Sequence, residues 1–135
     1  MVEKNSQENE EKKQEVMQKF QAYQQQAQQI QEQIKTVNQN VQELEHLSRG
    51  LEDLKGKKGK EILTQIGRGI FVKAKLLSEK LTVDVGGGNF MPKDIGETKK
   101  VLDEQKGKLK DLENQLNKAM ENLSQEVQKV LSGMQ

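Results

Sequence analysis

Three consecutive glycines, Gly86 to Gly88, follow a short apolar stretch in the sequence VDVGGGNF. Glycines after a strand cradle phosphates in dinucleotide-binding loops, where the pattern is G-x-G-x-x-G and a helix begins at once. Here Met91 occupies the third glycine position and Pro92 follows it, so no helix can begin within the motif. We interpret the glycines as a tight turn between strands, and a nucleotide-binding enzyme remains a competing hypothesis.

A lysine-rich sequence, LKGKKGK at residues 54 to 60, is a second candidate for binding phosphate. A Walker loop has four residues between its glycines, whereas five separate Gly50 from Gly56, and Lys58 stands where Ser or Thr is required. No aromatic residue is interleaved to stack on bases. We therefore interpret Gly56 as a helix stop whose neighbouring lysines oppose the negative end of the helix.

Other catalytic or metal-binding chemistry has little support in the sequence. His46 is the sole histidine and there is no cysteine, which excludes the common zinc sites, a cysteine nucleophile and disulfides. No serine has a plausible His-Asp relay. The sequence predicts no catalytic residue, no cofactor, no metal site and no enzymatic activity.

Composition and charge restrict the class of protein and its partners. Only 32% of residues are hydrophobic and 3% aromatic, too few for a compact single core, and 22 basic side chains nearly balance 21 acidic ones. This combination favours an elongated helical protein. A net charge of +1 gives no reason to expect nucleic acid or an anionic membrane as a partner. The chain has no long apolar run and no signal-like amino terminus, so we expect it to be cytoplasmic.

The elements that carry these motifs begin with a helix over about residues 10 to 54. Its apolar residues alternate at spacings of four and three, which is typical of a supercoiled helix facing a partner helix. They are Val16, Phe20, Tyr23, Ala27, Ile30, Ile34, Val37, Val41 and Leu44.

A second helix is predicted over about residues 94 to 133, with Asp94 capping its first turn. Its stripe contains Ile95, Leu102, Leu109, Leu112, Leu116, Ala119 and Leu123, with Gln105 in the slot between Leu102 and Leu109. If the two helices fold back antiparallel, residues whose numbers add to about 150 face each other, such as Phe20 and Val130.

Between the helices, over about residues 60 to 92, the hydrophobic period changes from 3.5 to 2. The runs 70–77 and 81–85 are joined by Ser78-Glu79-Lys80 and are interpreted as a hairpin, with further short strands at 62–66 and 89–91. Four short strands, or two hairpins, are expected. The predicted fold is α+β: a single domain over residues 1–135, built as a long antiparallel two-helix coiled coil with two β-hairpins at its base.

Large apolar residues also lie at the free ends of the two helices, where a two-helix arm has nothing beyond it to pack on. One reading is a seam that finishes at a frayed end. The other is an apolar tip that binds exposed apolar segments of other proteins, because Met and aromatic side chains are adaptable contact groups. The residues are Val16, Met17, Phe20, Tyr23, Val127, Val130, Leu131 and Met134.

The sequence IGRGIFVKAKLLSEKLTVDVGGGNFMPKDIGETKKVLDEQ, residues 66 to 105, resembles the central region of alpha-class prefoldin subunits. With heptad helices on both sides, the resemblance covers nearly the whole chain and favours an archaeal lineage. It implies a co-chaperone hexamer of two alpha and four beta subunits, whose strands join across chains into β-barrels. It further implies that coiled-coil tips hold unfolded client proteins and pass them to a group II chaperonin without nucleotide.

The assembly surface expected from this resemblance lies on the strands. It comprises Ile66, Ile70, Val72, Ala74, Leu76, Leu81, Val83 and Val85. A structural protein that forms filaments through the same hairpins is the alternative function.

Overall fold

The computed structural model describes the backbone of residues 2–133 and the side chains of residues 7–133. Helix α1 spans Val2–Leu54 and helix α2 spans Ile95–Gly133, with four strands between them. The strands are β1 (Glu61–Gly67), β2 (Ile70–Lys75), β3 (Leu81–Gly86) and β4 (Asn89–Lys93). This order confirms the predicted α+β fold of two long helices and two hairpins.

The chain divides into two compact units. One contains α1 up to Gln39 together with α2 from Leu109, and the other contains Asn40–Lys108, including all four strands. We call them the helical unit and the hairpin unit.

Helix α1 begins at Val2, earlier than the predicted start near residue 10. The residues before Val16 carry no apolar seam, and every side chain described from Gln7 to Glu15 is exposed. This stretch is rich in Glu, Lys and Gln, which have high intrinsic helix propensity, so it is helical without a seam.

The strands pair as β1 with β2 and β3 with β4, both antiparallel, in two separate two-stranded sheets. The interpretation of 70–77 and 81–85 as partners in one hairpin was therefore wrong, although the prediction of two hairpins is confirmed. Those runs are β2 and β3, and Ser78-Glu79-Lys80 connects the two hairpins. Alternating apolar residues reveal strands but carry no information on which neighbour each strand pairs with.

Both hairpins close through the same kind of turn. The central residues are Arg68 and Gly69 (φ 46° and 78°) in the first, and Gly87 and Gly88 (φ 61° and 78°) in the second. Positive φ at both central positions is the mark of type I′ turns, whose twist matches that of the flanking strands. A bulge precedes each turn. The interpretation of the triple glycine as a strand turn is confirmed.

The helix boundaries at the strands have local causes. Helix α1 ends at Leu54 and Gly56 follows at φ 74°, as expected of a glycine helix stop. Helix α2 begins after Asp94, whose Oδ1 accepts a hydrogen bond from the Glu97 backbone N–H at 2.7 Å. The predicted N-cap is therefore present.

Cross-helix contacts place the two helices antiparallel within each unit. In the hairpin unit, Lys106 Nζ lies 3.0 Å from Glu45 Oε1, and Lys99 pairs with Glu52. In the helical unit, the Asn38 amide lies 3.2 Å from the Glu113 carboxylate and donates to it when its nitrogen is assigned to that side. The residue numbers in all three pairs add to 151, one more than the predicted sum.

The seam of α2 differs from the predicted stripe at two places. Leu112 is exposed and Glu113 is half-buried, while Gln105 is exposed and Lys106 is half-buried. The helix turns by about 100° per residue, so seam residues recur at spacings of three and four. The predicted stripe followed apolar residues only and therefore missed the two seam positions that are polar.

Each unit has its own small core. In the hairpin unit Leu51, Ile95 and Leu102 form a buried cluster, and Leu81 of β3 packs against it. In the helical unit the buried residues are Val37 and Leu123. The strands contribute little to either core, which leaves most of their side chains exposed.

Candidate interaction surfaces

The first candidate surface, the hairpin surface, is the set of exposed large apolar side chains on the strands and their connection. Ile66 is the most exposed large apolar residue on the strands, at 71%. The other members are Leu63, Ile70, Phe71, Val72, Leu77, Val85, Phe90 and Met91. Nine exposed large apolar side chains on two small hairpins and their connection are more than isolated surface residues, and this concentration favours a protein interaction site.

The eight predicted assembly residues divide into two groups. Ile66, Ile70, Val72 and Val85 are exposed, whereas Ala74, Leu76, Leu81 and Val83 are half-buried. Leu81 contributes to the core of the hairpin unit. Their role in assembly stays a prediction.

Strand pairing shows that the first hairpin is apolar on both faces. Residues directly opposite each other in an antiparallel pair share a face. Val72 opposes Thr64 on one face, while Phe71 opposes Gln65 on the other. Both apolar side chains are exposed, so each face of this hairpin has apolar surface to cover.

The second hairpin is more one-sided. Leu81, Val83 and their partner positions Lys93 and Met91 share one face, and all but Met91 are half-buried. On the other face, Phe90 stands opposite Asp84. This hairpin therefore covers part of its first face within its own unit.

Five exposed apolar residues of this surface were missed by sequence reasoning: Leu63, Phe71, Leu77, Phe90 and Met91. The prediction followed a single alternation along each strand. In the sequence IFVKAK, Phe71 breaks that alternation, and an apolar residue out of phase is the available signal for a strand covered on both faces. Leu77, 80% exposed, also follows Leu76 out of phase in the predicted run 70–77, but the structure places it after the end of β2.

The second candidate surface, which we call the helix-end surface, lies in the helical unit. It is formed by the part of α1 around Val16 and the part of α2 that leads to Gly133. Val16, Phe20 and Tyr23 of α1 and Val127 and Val130 of α2 are half-buried, as seam residues should be. Met17 and Leu131 lie beside the seam and are 63% and 49% exposed. Met134 lies outside the described residues.

Polar contacts in the hairpin unit join the end of α1 to the connection between the hairpins and to α2. The Glu79 carboxylate accepts a hydrogen bond from the Gly56 backbone N–H, and Glu52 contacts Lys99 and Lys55. The hydrogen bond from the Lys99 ammonium, and then that from Lys55, holds the pKa of the Glu52 carboxyl below its usual value. The Glu79 contact ties the connection between the hairpins to the end of α1, and the contact of Glu52 with Lys99 joins the two helices.

The structure also locates the residues that were first considered for catalysis, metal binding or phosphate binding. His46 is exposed on α1, and no group of acidic, His or Cys side chains able to hold a metal ion occurs among the residues that the structure describes. Within the same residues, no helix is long and apolar enough to cross a membrane. Gly86 to Gly88 lie at the turn between β3 and β4, so a strand rather than a helix follows them.

Comparison with known proteins agrees with this architecture. Residues 23–135 match the family model for "Prefoldin subunit". The chain is 33% identical over 84 residues to prefoldin subunit alpha of Methanobrevibacter smithii, a match covering 62% of this chain and 56% of that relative. The chain therefore aligns with little more than half the length of this curated relative.

A solved structure also resembles the fold. The cryo-EM structure of filamentous PFD from Methanocaldococcus jannaschii superposes with a TM-score of 0.74 at 21% identity, covering 86% of this chain and 98% of that one. At this identity the likeness concerns the fold alone. The chain has two long helices joined by two hairpins, matches the family model over most of its length and has an archaeal alpha subunit as a relative. It therefore belongs to the prefoldin family of chaperone subunits and resembles its alpha class.

Proposed function

We propose that this chain is a non-enzymatic, ATP-independent co-chaperone subunit in the cytoplasm. It assembles through its hairpin surface with beta-type prefoldin subunits, as two alpha and four beta chains. The helix-end surface binds unfolded clients, which the complex delivers to a group II chaperonin. Neither nucleic acid nor a membrane is a partner.

The observation that carries this proposal is the concentration of exposed apolar side chains on the hairpins of a prefoldin-family chain. Small two-stranded sheets with free edges are marginal alone and are stabilised by pairing with further strands. Met17, in the first part of α1, and Leu131, in the last part of α2, add further exposed apolar groups. Their seam neighbours Phe20 and Val130 are only half-buried. Contact area at one such end is small, so several subunits must act together to hold a client.

The client-binding part is tested by diluting a chemically unfolded model protein into buffer and following its aggregation by light scattering. Replacing the exposed Met17 and Leu131 together by Ser should weaken protection several-fold while the assembly survives. The matched control replaces Val101 and Leu112, two exposed apolar residues of α2 outside this surface. Equal protection by both double variants would show that the helix-end surface does not bind clients.

The double variant Phe20→Asp with Val130→Asp should also lose protection. Because both side chains are half-buried in the seam, this variant also weakens the helix pair. The Met17 and Leu131 variant therefore separates client binding from helix stability more cleanly.

Filament formation is the second candidate function, because the structural neighbour is a filamentous prefoldin. Native mass spectrometry after co-expression with a beta-type subunit distinguishes the two. A complex of two alpha and four beta chains supports the co-chaperone, while long homopolymers that ignore the partner support the filament. Nucleotide binding at Gly86 to Gly88, detected by calorimetry at micromolar concentration, would contradict both.

A further inference from the structure

A shallow groove beside the helix-end surface has a cationic rim and an apolar floor. Its floor contains Val16 of α1 and Val130 of α2, and its rim contains Lys12, Lys13 and Lys19, with Glu15 at the edge. All belong to the helical unit. We call this feature the lysine groove; its volume is about 530 Å³, in the range of pockets that hold small ligands or a few side chains.

The charges of α1 are sorted around the helix at this place. At about 100° per residue, Lys12, Lys13 and Lys19 lie within roughly 60° of the direction of Val16. On the same scale Glu8, Glu11 and Glu15 lie roughly 80° or more from it. The segment contains both signs of charge, but the lysines lie nearer than these glutamates to the direction of Val16, and Glu15 is the one acidic residue that lines the groove.

No described residue of α2 covers this cationic face. In the register set by Asn38 and Glu113, Gly133 of α2 lies opposite Gln18, and the side chains from Gln7 to Glu15 are all exposed. The lysines of the rim also precede residue 23, where the match to the family model begins. The lysines and Val16 therefore lie outside the matched family region, whereas Val130 lies within it.

We propose that the lysine groove selects client segments in which an apolar side chain is flanked by Asp or Glu. This inference rests on the proposed function, since it names the class of segment that the same end of the helices binds. An apolar client side chain would contact Val16 and Val130, and its acidic neighbours would meet the lysine ammonium groups. Exposed ion pairs are individually weak and salt-sensitive, so they contribute selectivity and faster association more than affinity.

The test uses three labelled peptides that share a Phe-Leu centre and differ in their flanks, which are Asp and Glu, Ser and Gln, or Lys. Binding to the full chain in the assembly that it forms is followed by fluorescence anisotropy at low and high salt. We expect the acidic peptide to bind best, and its advantage to vanish at about 0.5 M salt. The double variant Lys12→Gln with Lys13→Gln should weaken binding of the acidic peptide by about three- to tenfold.

The matched control is Lys110→Gln with Lys118→Gln, which removes the same charge from exposed positions of α2 in the same unit. It should leave the preference unchanged. The inference is overturned if the three peptides bind equally, or if the two double variants have equal effects, while the assembly still suppresses aggregation of an unfolded protein. If the wild-type assembly binds no peptide and also fails to suppress aggregation, the proposed function itself is overturned.

Discussion

Glu113 occupies a half-buried position of the α2 seam, and the Asn38 amide of α1, when its nitrogen is assigned to face this carboxylate, donates to both of its oxygens at 3.2 Å. A charged group at a seam position lowers stability and favours one register. The pair therefore helps to align the helices of the helical unit, at a position where an apolar residue would pack more favourably.

Changes to the two members of this pair should have opposite effects on stability. Asn38→Ala leaves a half-buried carboxylate without its donor and should lower the free energy of unfolding by about 1 kcal/mol. Glu113→Leu makes the seam apolar and should raise it by about 1 kcal/mol. Thermal unfolding followed by circular dichroism measures both, with Glu121→Leu at an exposed position as the control. A loss of stability in Glu113→Leu would show that the contact outweighs apolar packing.

The N-cap of α2 should contribute measurably to stability. Asp94→Ala removes the acceptor of the Glu97 N–H bond and should lower the free energy of unfolding by about 1 kcal/mol. Asp94→Asn should restore most of the loss because Asn is an equally good cap. Asp111→Ala, within the same helix, is the control. If the Asn variant is as unstable as the Ala variant, the effect arises from charge rather than from capping.

The ion pairs of Glu52 should make stability depend on pH at the acidic end. The bonds from Lys99 and Lys55 depress the pKa of Glu52 in the folded state, so their stabilising effect is present above the usual pKa of a glutamate. It is lost as the pH falls through the depressed value. The stability difference between wild type and Glu52→Gln should therefore be present at pH 7 and shrink progressively as the pH falls below about 4.

Urea unfolding at a series of pH values measures this difference. The exposed carboxylate of Glu104 offers the control, Glu104→Gln. High salt should also reduce the difference at pH 7, because Glu52 is exposed to solvent. A difference that persists unchanged at pH 3 would contradict the assignment to these ion pairs.

Much of the architecture follows from local chemistry in the sequence. The alternating four and three spacing from Val16 predicts the α1 seam, and Asp94 and Gly56 mark helix boundaries that the structure confirms. The glycines at the hairpin turns are predicted because positive φ at both central positions favours glycine. These features depend on neighbouring residues alone, which is why the sequence contains them.

What could not be predicted depends on contacts between distant residues. Strand pairing was assigned incorrectly because β2 has apolar neighbours in sequence on both sides. Glu113 and Lys106 were missed as seam residues because their polar groups are paired with Asn38 and Glu45 on the other helix. The extent of the hairpin surface was underestimated for a related reason: the prediction followed one face of each strand, whereas the first hairpin has exposed apolar residues on both faces.

The hairpin surface yields the last prediction, which separates assembly from the folding of the chain. Phe71 and Val72 lie on opposite faces of the first hairpin and are 52% and 45% exposed. Phe71→Asp and Val72→Asp should each block assembly, since burying an unpaired charge at an interface costs several kcal/mol. The helicity and unfolding temperature of the isolated chain should remain close to wild type, because both side chains are exposed there.

Leu81→Asp is the contrasting variant, because Leu81 packs against the core formed by Leu51, Ile95 and Leu102. It should lower the unfolding temperature of the isolated chain itself, and any loss of assembly would follow from that. Circular dichroism of the isolated chain and native mass spectrometry with a beta-type partner together distinguish the two outcomes. If Val72→Asp blocks assembly while Phe71→Asp does not, other chains cover only one face of this hairpin, and Phe71 is exposed for a reason other than assembly.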